Sequence, residues 1–352
     1  MTKHDLISSQ LYKPKLNGRS NILLLTHTDA DGEVPALILK LLFDNVVVKH
    51  CSNGSMDQDI LHSVIDESEG VYDFIFVTDI SCKSETAERI DASKNASKVI
   101  LLDHHRSSLY LNQYKWACVM PDVIDDSVMM HVGLDTKPVH SSAASLVYDY
   151  FDYIDAISNS WTSCQDKLIR DLVINTTLYD TWDWSDVYGR KSQNPYYINV
   201  LHDTYGDDVF EDRYMKRFKD SRPNLLDDTD NMMIRVHETK LAAHLDSVKR
   251  YIRTGNWLIE DRYYSVVYLN TDRFLNETSD YLRNQYPDAE LVIINYGTGL
   301  SIRTTDSDIN VGEICAKLGG GGHPGAGGIR IKFDSIIDCI NASTETTLYI
   351  DK

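Results

Sequence analysis

Three apolar runs along the chain end in the same way. Asn21-Ile22-Leu23-Leu24-Leu25 leads into Thr26-His27-Thr28-Asp29-Ala30-Asp31-Gly32. Tyr72-Asp73-Phe74-Ile75-Phe76-Val77 leads into Thr78-Asp79, and Lys98-Val99-Ile100-Leu101-Leu102 stops at Asp103-His104-His105. Short apolar runs bounded by polar turns are the pattern of strands buried on both faces. Three of them closing on Asp or His predict the carboxyl edge of one parallel sheet, where open α/β sheets place their ligands.

The rest of the pattern supplies the connections. Helical periodicity near 35–42, 57–68 and 84–91 alternates with these strands and with another at 46–50. From about 20 to 185 this alternation predicts an α/β fold, a parallel sheet with helices on both faces. Residues 140–182 read as mostly helical, with amphipathic segments at 141–148 and 165–178. The stretch 190–230 is polar, carries Pro195, Gly206 and Pro223, and predicts an irregular or short-helical insertion. A long helical pattern from about Asn231 to Arg253 then bridges to a second region. That region has strands at 263–269, 290–295, 299–304 and 329–333, and helices at 274–285 and 311–318. The expected organisation is therefore an N-terminal domain over 1–190, an insertion and helical linker over 191–253, and a smaller α/β C-terminal domain over 254–352.

Composition narrows the class. With 42% hydrophobic and 25% charged residues in 352, the chain has the makings of packed domains rather than of disorder. No apolar run approaches the roughly 20 residues that span a bilayer, and the start, Met1-Thr2-Lys3-His4-Asp5, lacks a signal-peptide core. Six cysteines without a Cys-x-x-Cys pair fit reduced thiols and a cytoplasmic setting, with no membrane partner expected. The formal charge of −18 matters most. Proteins that track long nucleic acid carry a basic stripe, and none is visible here. Long duplex DNA is thus not an expected partner, and a phosphate-bearing substrate would be short or small.

The three strand ends carry the chemistry. Asp and His together suit manganese, zinc, iron or magnesium. In an extended segment the alternating His27, Asp29 and Asp31 would point to one side; the plainer reading is a polar loop whose Asp31 caps the next helix. Asp79 alone is compatible with an N-cap, whereas Asp103-His104-His105 at a strand end has little structural purpose. Two ions about 3.5–4 Å apart need several carboxylates and imidazoles, at least one of them bridging. A further ligand is expected from Tyr179-Asp180-Thr181-Trp182-Asp183-Trp184, with Asp180 favoured and Asp183 as a residue that fixes the loop.

A second motif is Gly319-Gly320-Gly321-Gly322-His323-Pro324-Gly325-Ala326-Gly327-Gly328. Its glycines permit close backbone approach and expose N–H groups to an anion. No Gly-Lys-Ser/Thr follows, so it is not a P-loop, and it precedes a strand, unlike the dinucleotide fingerprint. Arg303, on the strand before it, suits bidentate phosphate contact.

In this order the motifs resemble the DHH phosphoesterase superfamily. His27-x-Asp29-x-Asp31-Gly32, Asp79, Asp103-His104-His105 and Asp180-Thr181 match its four motifs, and the glycine-rich segment is similar to the signature of its DHH-associated C-terminal domain. The resemblance covers roughly 20–335. It implies a DHH catalytic domain and a substrate-binding domain, an active site in the cleft between them, and two divalent ions, manganese above all. It further implies that His27, Asp29 and Asp79 hold one ion, and that Asp31, Asp79, His104 and Asp180 hold the other, with Asp79 bridging. His105 would contact the scissile phosphate or orient ligands, and Asp103 would support an imidazole. Arg303 and His323, with Gly320, Gly321 and Gly322, would grip the rest of the substrate. Two positions depart from the commoner pattern: His27 stands two residues before Asp29 instead of four, and Gly325-Ala326-Gly327 replaces Ala-Ala-Gly.

Within that family the glycine-rich motif argues against the inorganic pyrophosphatase branch. RecJ-type exonucleases are usually longer and more basic. What remains resembles the nanoRNase type, in particular its oligoribonuclease branch, acting on short oligonucleotides. Cyclic-dinucleotide or cyclic-nucleotide hydrolysis, 3′,5′-bisphosphate nucleotide hydrolysis, RecJ-like attack on single-stranded DNA and a catalytically silent nucleotide-binding module are the alternatives. Self-association into a homodimer is left open.

Overall fold

A computed structural model describes residues 18–52, 54–67, 71–122, 140–184, 194–259, 262–304, 306 and 308–330 of the chain. They fall into two compact units, Met1–Ile234 and Arg235–Lys352.

The first unit is built on five strands: β1 (Asn21–Thr26), β2 (Asn45–His50), β3 (Phe74–Thr78), β4 (Val99–Asp103) and β5 (Ala117–Val119). Their order is β2-β1-β3-β4-β5, and every neighbouring pair is parallel. Side chains alternate between faces, as the two-residue period of a strand requires. Ile22 and Leu24 enter one hydrophobic cluster, Leu23 and Leu25 the other. Register aligns the strand ends. Leu25 pairs with Val77 and Thr78 with Leu102, so the residues that follow β1, β3 and β4 emerge at one level. The buried Thr78 hydroxyl donates to Thr26 Oγ1 at 2.9 Å and ties two of these ends together.

Helices cover both faces. On one side lie α1 (Ala30–Leu42), α4 (Ala143–Tyr153), α5 (Ala156–Ser160) and α6 (Ser163–Asp180). On the other lie α2 (Met56–Leu61), continued as a wider turn to Glu67, and α3 (Ser84–Asp91). Sequence explains where α4 and α6 begin: Ser142 with Ser145, and Thr162 with Gln165, form reciprocal capping boxes.

The stretch expected to be irregular or short-helical is largely helical where described. It forms α7 (Asn194–Tyr205) and α8 (Asp207–Lys219), and the bridging helix α9 spans Asp228–Val248. Ile198, Leu201, Phe210, Tyr214, Phe218 and Ile234 all enter the first unit's larger cluster. Phe210, Tyr214 and Phe218 recur every four residues, which turns an otherwise polar α8 into an amphipathic one.

The second unit holds a six-stranded mixed sheet. Its strands are β6 (Arg253–Ile259), β7 (Arg262–Asn270), β8 (Leu291–Asn295), β9 (Gly299–Arg303), β10 (Gly321–His323) and β11 (Ala326–Arg330), in the order β10-β11-β9-β8-β7-β6. Only β7 and β8 pair in parallel. Val266 and Val267 again divide between two clusters. The first lies with Val311, Ile314 and Cys315 of α11 (Val311–Lys317), the second with Leu282 of α10 (Leu275–Gln285). β6 begins where the sequence pattern continues the long helix, and the last strand starts at Ala326 rather than 329, with 331–333 outside the described residues. No helix among the described residues is long and apolar enough to cross a membrane.

Candidate metal centre at the sheet edge

The turn after β1 depends on Gly32. A Cβ at that position would stand 2.3 Å from the His27 carbonyl oxygen, so only glycine lets α1 start this close beneath the preceding loop. The helix is capped by Asp29, not by Asp31: Asp29 Oδ1 accepts the Gly32 N–H at 3.0 Å. Asp29 Oδ2 lies 2.8 Å from His27 Nδ1. Asp31 does not continue an extended alternation with these two. It sits in the first turn of α1, and its carboxylate accepts the backbone N–H groups of Ala143 (2.7 Å) and Ala144 (3.0 Å) at the start of α4. A helix N-terminus is a favourable place for a carboxylate.

Asp79 occupies the middle. It follows β3 in the left-handed region, with φ of 60°, and only 6% of it is exposed. Its Oδ1 is 3.3 Å from His104 Nε2, and its Oδ2 is 3.9 Å from His27 Nδ1. His104 Nε2 is also 3.8 Å from Asp31 Oδ2 and 3.7 Å from Asp180 Oδ2. One carboxylate thus divides its oxygens between two imidazole-centred groups: His27 and Asp29 on one side, Asp31, His104 and Asp180 on the other. Several of these separations exceed hydrogen-bond lengths. They match donors that share an ion, which at bonds of about 2.1 Å stand roughly 3.4 Å apart in a tetrahedral site.

Behind His104, the fully buried Asp103 organises the turn. Its Oδ1 accepts from the backbone N–H of His104 (2.8 Å) and His105 (3.3 Å) and from the His105 ring Nδ1 (2.7 Å). Its Oδ2 is buried without a hydrogen-bond donor among the described residues.

The electrostatics follow from the crowding. Burial, then the charges of Asp29, Asp31, Asp180 and Asp103, pushes Asp79 well above the ordinary carboxylate range. Burial and Asp31 push Asp180 up to about 7. Burial opposes ionisation of Asp29 too, yet its hydrogen bond to His27 brings it down to about 2. Burial lowers His104, but Asp180 and Asp31 outweigh it and raise the ring above its ordinary value. Among the described residues, histidines are the ion-pair partners of these five carboxylates. This excess of buried negative charge, with an orphaned oxygen on Asp103, fits a donor set for divalent cations.

Of the two aspartates at and just beyond the end of α6, the structure brings Asp180 against His104. Asp183 ties the loop instead: its Oδ2 accepts the His140 backbone N–H at 2.8 Å, and its Oδ1 lies 3.1 Å from the His140 ring. Trp116 is buried and donates to Asp91, so its role is packing. Arg106, on the turn after His105, pairs with Asp122 at 2.6 Å.

In the second unit, Arg303 contacts Asn276 Oδ1 at 3.1 Å and the Ile302 carbonyl at 3.1 Å. The glycines form the hairpin β10–β11. Gly322, at φ of 149°, would place a Cβ 2.3 Å from the Ala326 oxygen, and Gly320 would place one 2.0 Å from the Gly328 oxygen. Their bareness serves the chain's approach to itself, whereas Gly321 is exposed with open space above it. The His323 backbone pairs with Ala326, and its side chain lies outside the described residues.

One group escaped the sequence reading. Glu33, His50 and Asp207 converge in the first unit. The available signal was β2, a fourth apolar run, Val46-Val47-Val48, that also closes on a histidine, His50.

No protein-family model matches the chain. A curated relative, oligoribonuclease NrnB of Bacillus subtilis (strain 168), is 26% identical over 316 residues, 88% of this chain and 72% of the relative. Among solved structures, RecJ of Thermus thermophilus in complex with Mn2+ superposes with a TM-score of 0.52 at 12% identity, covering 97% of this chain and 53% of RecJ. The pGpG-specific phosphodiesterase PggH of Vibrio cholerae gives a TM-score of 0.46 at 14% identity, covering 92% of this chain and 97% of PggH. The parallel sheet, its carboxylate-and-imidazole edge and the mixed-sheet second unit define a two-unit α/β protein with the RecJ fold. In its motifs and their convergence at the sheet edge the chain resembles the DHH superfamily of phosphoesterases, and it is similar to the oligoribonuclease relative over most of its length.

Proposed function

We propose that the chain is a metal-dependent phosphodiesterase that hydrolyses short oligonucleotides. The observation that carries the reading is Asp79, a buried carboxylate whose two oxygens face different imidazoles within a group of five carboxylates. His27, Asp29 and Asp79 would hold one divalent ion, and Asp31, Asp79, His104 and Asp180 the other, manganese being the first candidate. Bound there, the ions would supply an acidified water and charge neutralisation for displacement at phosphorus.

The chain's own residues do the rest. The amides of Ala143 and Ala144 fix the direction of Asp31. Asp103 turns the His105 ring, which we assign to the scissile phosphate as hydrogen-bond donor. Arg303, Gly320, Gly321, Gly322 and His323 are assigned to substrate binding. The substrate class rests on the relative named an oligoribonuclease and on charge. A net charge of −18 gives a long polyanion net repulsion, which disfavours long duplex DNA and favours a few nucleotides held at the cation centre.

The test is a length series with Mn2+ at fixed salt: a dinucleotide, a pentamer and a strand of about 25 nucleotides, lengths that bracket a single binding site, beside cyclic dinucleotides and adenosine 3′,5′-bisphosphate. Catalytic efficiency should be greatest for the short linear substrates and fall steeply for the long strand. Equal or rising efficiency on the long strand would move the assignment to a RecJ-like exonuclease. Activity confined to the cyclic or bisphosphate compounds would move it to those classes.

A further inference from the structure

Beside the sheet-edge centre, the first unit contains a second convergence of donors that shares no residue with it. Glu33 lies in the first turn of α1, His50 ends β2, and Asp207 opens α8. One donor atom from each lies within 4.8 Å of the other two. Glu33 is 2% exposed, and its Oε2 is buried with no hydrogen-bond partner. His50 Nε2 stands 3.5 Å from that oxygen and 3.9 Å from Asp207 Oδ2.

These separations decide between readings. A histidine and a carboxylate that bond each other directly approach to about 2.7–3.2 Å, as His105 and Asp103 do at 2.7 Å. At 3.5 and 3.9 Å the three groups are too far apart to satisfy one another and near the roughly 3.4 Å of donors around one ion with bonds of about 2.1 Å. The His50 ring is also oriented for it. Its Nδ1 is 3.1 Å from the His27 carbonyl oxygen, which can only accept, so Nδ1 carries the proton. In the neutral ring the Nε2 lone pair then faces the two carboxylates, the arrangement by which a backbone carbonyl usually fixes a metal-binding imidazole.

The neighbours complete the picture. Asp207 Oδ1 also lies 3.1 Å from Nε2 of the buried His202, which makes no hydrogen bond there and is a further imidazole beside the group. Glu211, one turn along α8, pairs with Lys40 and also stands against the Glu33 carboxyl, adding negative charge to the group. Leaving the Glu33 oxygen buried and unsatisfied costs free energy that a cation would recover.

We propose that Glu33, His50 and Asp207 form a further divalent-cation site, of the mixed nitrogen and oxygen type that takes Zn2+ or Mn2+. Occupied, it clips the start of α8 to α1 and to the end of β2. Through His50 it also steadies the carbonyl of His27. It requires no property of the sheet-edge centre and stands whether or not the chain is a nuclease.

The test is equilibrium dialysis of the full chain against Zn2+, with bound metal counted by elemental analysis. Asp207→Asn should bind one ion fewer than wild type, or bind that ion at least about tenfold more weakly, and the loss should add to that caused by Asp79→Asn. His50→Gln, whose amide can still donate to His27, should show the same loss if Asp207→Asn fails to fold. Unchanged metal content and affinity in the folded variants would overturn the site. A readout free of substitutions is the long-range proton–nitrogen spectrum of wild type. Zn2+ should move the Nε2 signal of His50 while its Nδ1 stays protonated. A His50 ring protonated on both nitrogens at saturating Zn2+ would equally overturn it.

Discussion

Asp103 Oδ1 accepts the ring Nδ1–H of His105 at 2.7 Å while also taking the backbone N–H of the same residue. Two bonds from one oxygen fix both the direction of the turn and the face the imidazole presents. Burial works against the Asp103 charge, but the hydrogen bond from His105 outweighs it and holds the acid below its ordinary value. Asp103→Asn keeps the shape and removes the charge. Turnover should fall about 10- to 100-fold, the usual penalty for disturbing a support of this kind, while metal content measured on the purified variant stays at the wild-type level. Loss of metal together with turnover would make Asp103 a ligand rather than a positioning residue.

Asp79 predicts an exchange of stability for function. Its carboxylate is buried beside four others and pushed well above the ordinary range. In the metal-free chain this is a cost, so Asp79→Asn should raise the thermal midpoint in chelator. A gain near 1 kcal/mol would appear as about 2–4 °C. Asn is also the right replacement at φ of 60°, because it tolerates the left-handed region, whereas Ala would add about 1–2 kcal/mol of backbone strain. With Mn2+ the order should reverse, and turnover should fall by more than about 100-fold, beyond the penalty for a mere supporting residue. A midpoint that drops in chelator would show the carboxylate to be satisfied without an ion.

A pH dependence of stability is expected from the start of α9. Asp227 Oδ1 accepts the Asp230 N–H at 3.0 Å, and its carboxylate pairs with Arg213 and Arg217. Burial opposes its charge slightly, but the hydrogen bond from Arg217 and the Asp230 N–H bring the acid down to about 2 from its ordinary 3.8. A depressed folded-state value means that the group stabilises above its unfolded value, and that this contribution fades as pH falls from about 4 to about 2. Compared by thermal denaturation, wild type should exceed Asp227→Asn at neutral pH, and the gap should close across that window. A gap that stays constant down to about pH 2 would assign the effect to packing.

The strand ends were legible because each apolar run stops on a side chain that a buried strand would not otherwise carry, and parallel register brings such stops to one level. What Asp31 does was not legible. Three positions spaced by two residues cannot separate an extended segment from the entry to a helix, and its partners, Ala143 and Ala144, lie more than a hundred residues away. β10 was hidden for a different reason. Gly321-Gly322-His323 has almost no strand propensity, and its pairing comes from backbone groups that glycine brings close together. His50 was visible as a strand-ending histidine, but its meaning needed Asp207, which lay in a stretch expected to be irregular or short-helical.

Arg303 tests whether the second unit binds substrate. It ends β9, where its backbone pairs with Val292 and Ala326, and its guanidinium is held by Asn276 Oδ1 and the Ile302 carbonyl. A side chain anchored in this way presents a planar cation at low entropic cost, and a planar fork matches two phosphate oxygens where an ammonium matches one. Arg303→Ala should therefore raise KM for a short oligonucleotide, with a loss of about 1.5–3 kcal/mol, or roughly 10- to 150-fold, while kcat changes less and metal content does not change. Arg303→Lys should fall between the two, because it keeps the charge and loses the fork. The salt dependence separates phosphate contact from local structure. If the guanidinium grips a phosphate, KM of wild type should rise more steeply with ionic strength than KM of Arg303→Ala. Parallel salt curves, or a variant that loses its metals, would remove Arg303 from substrate binding.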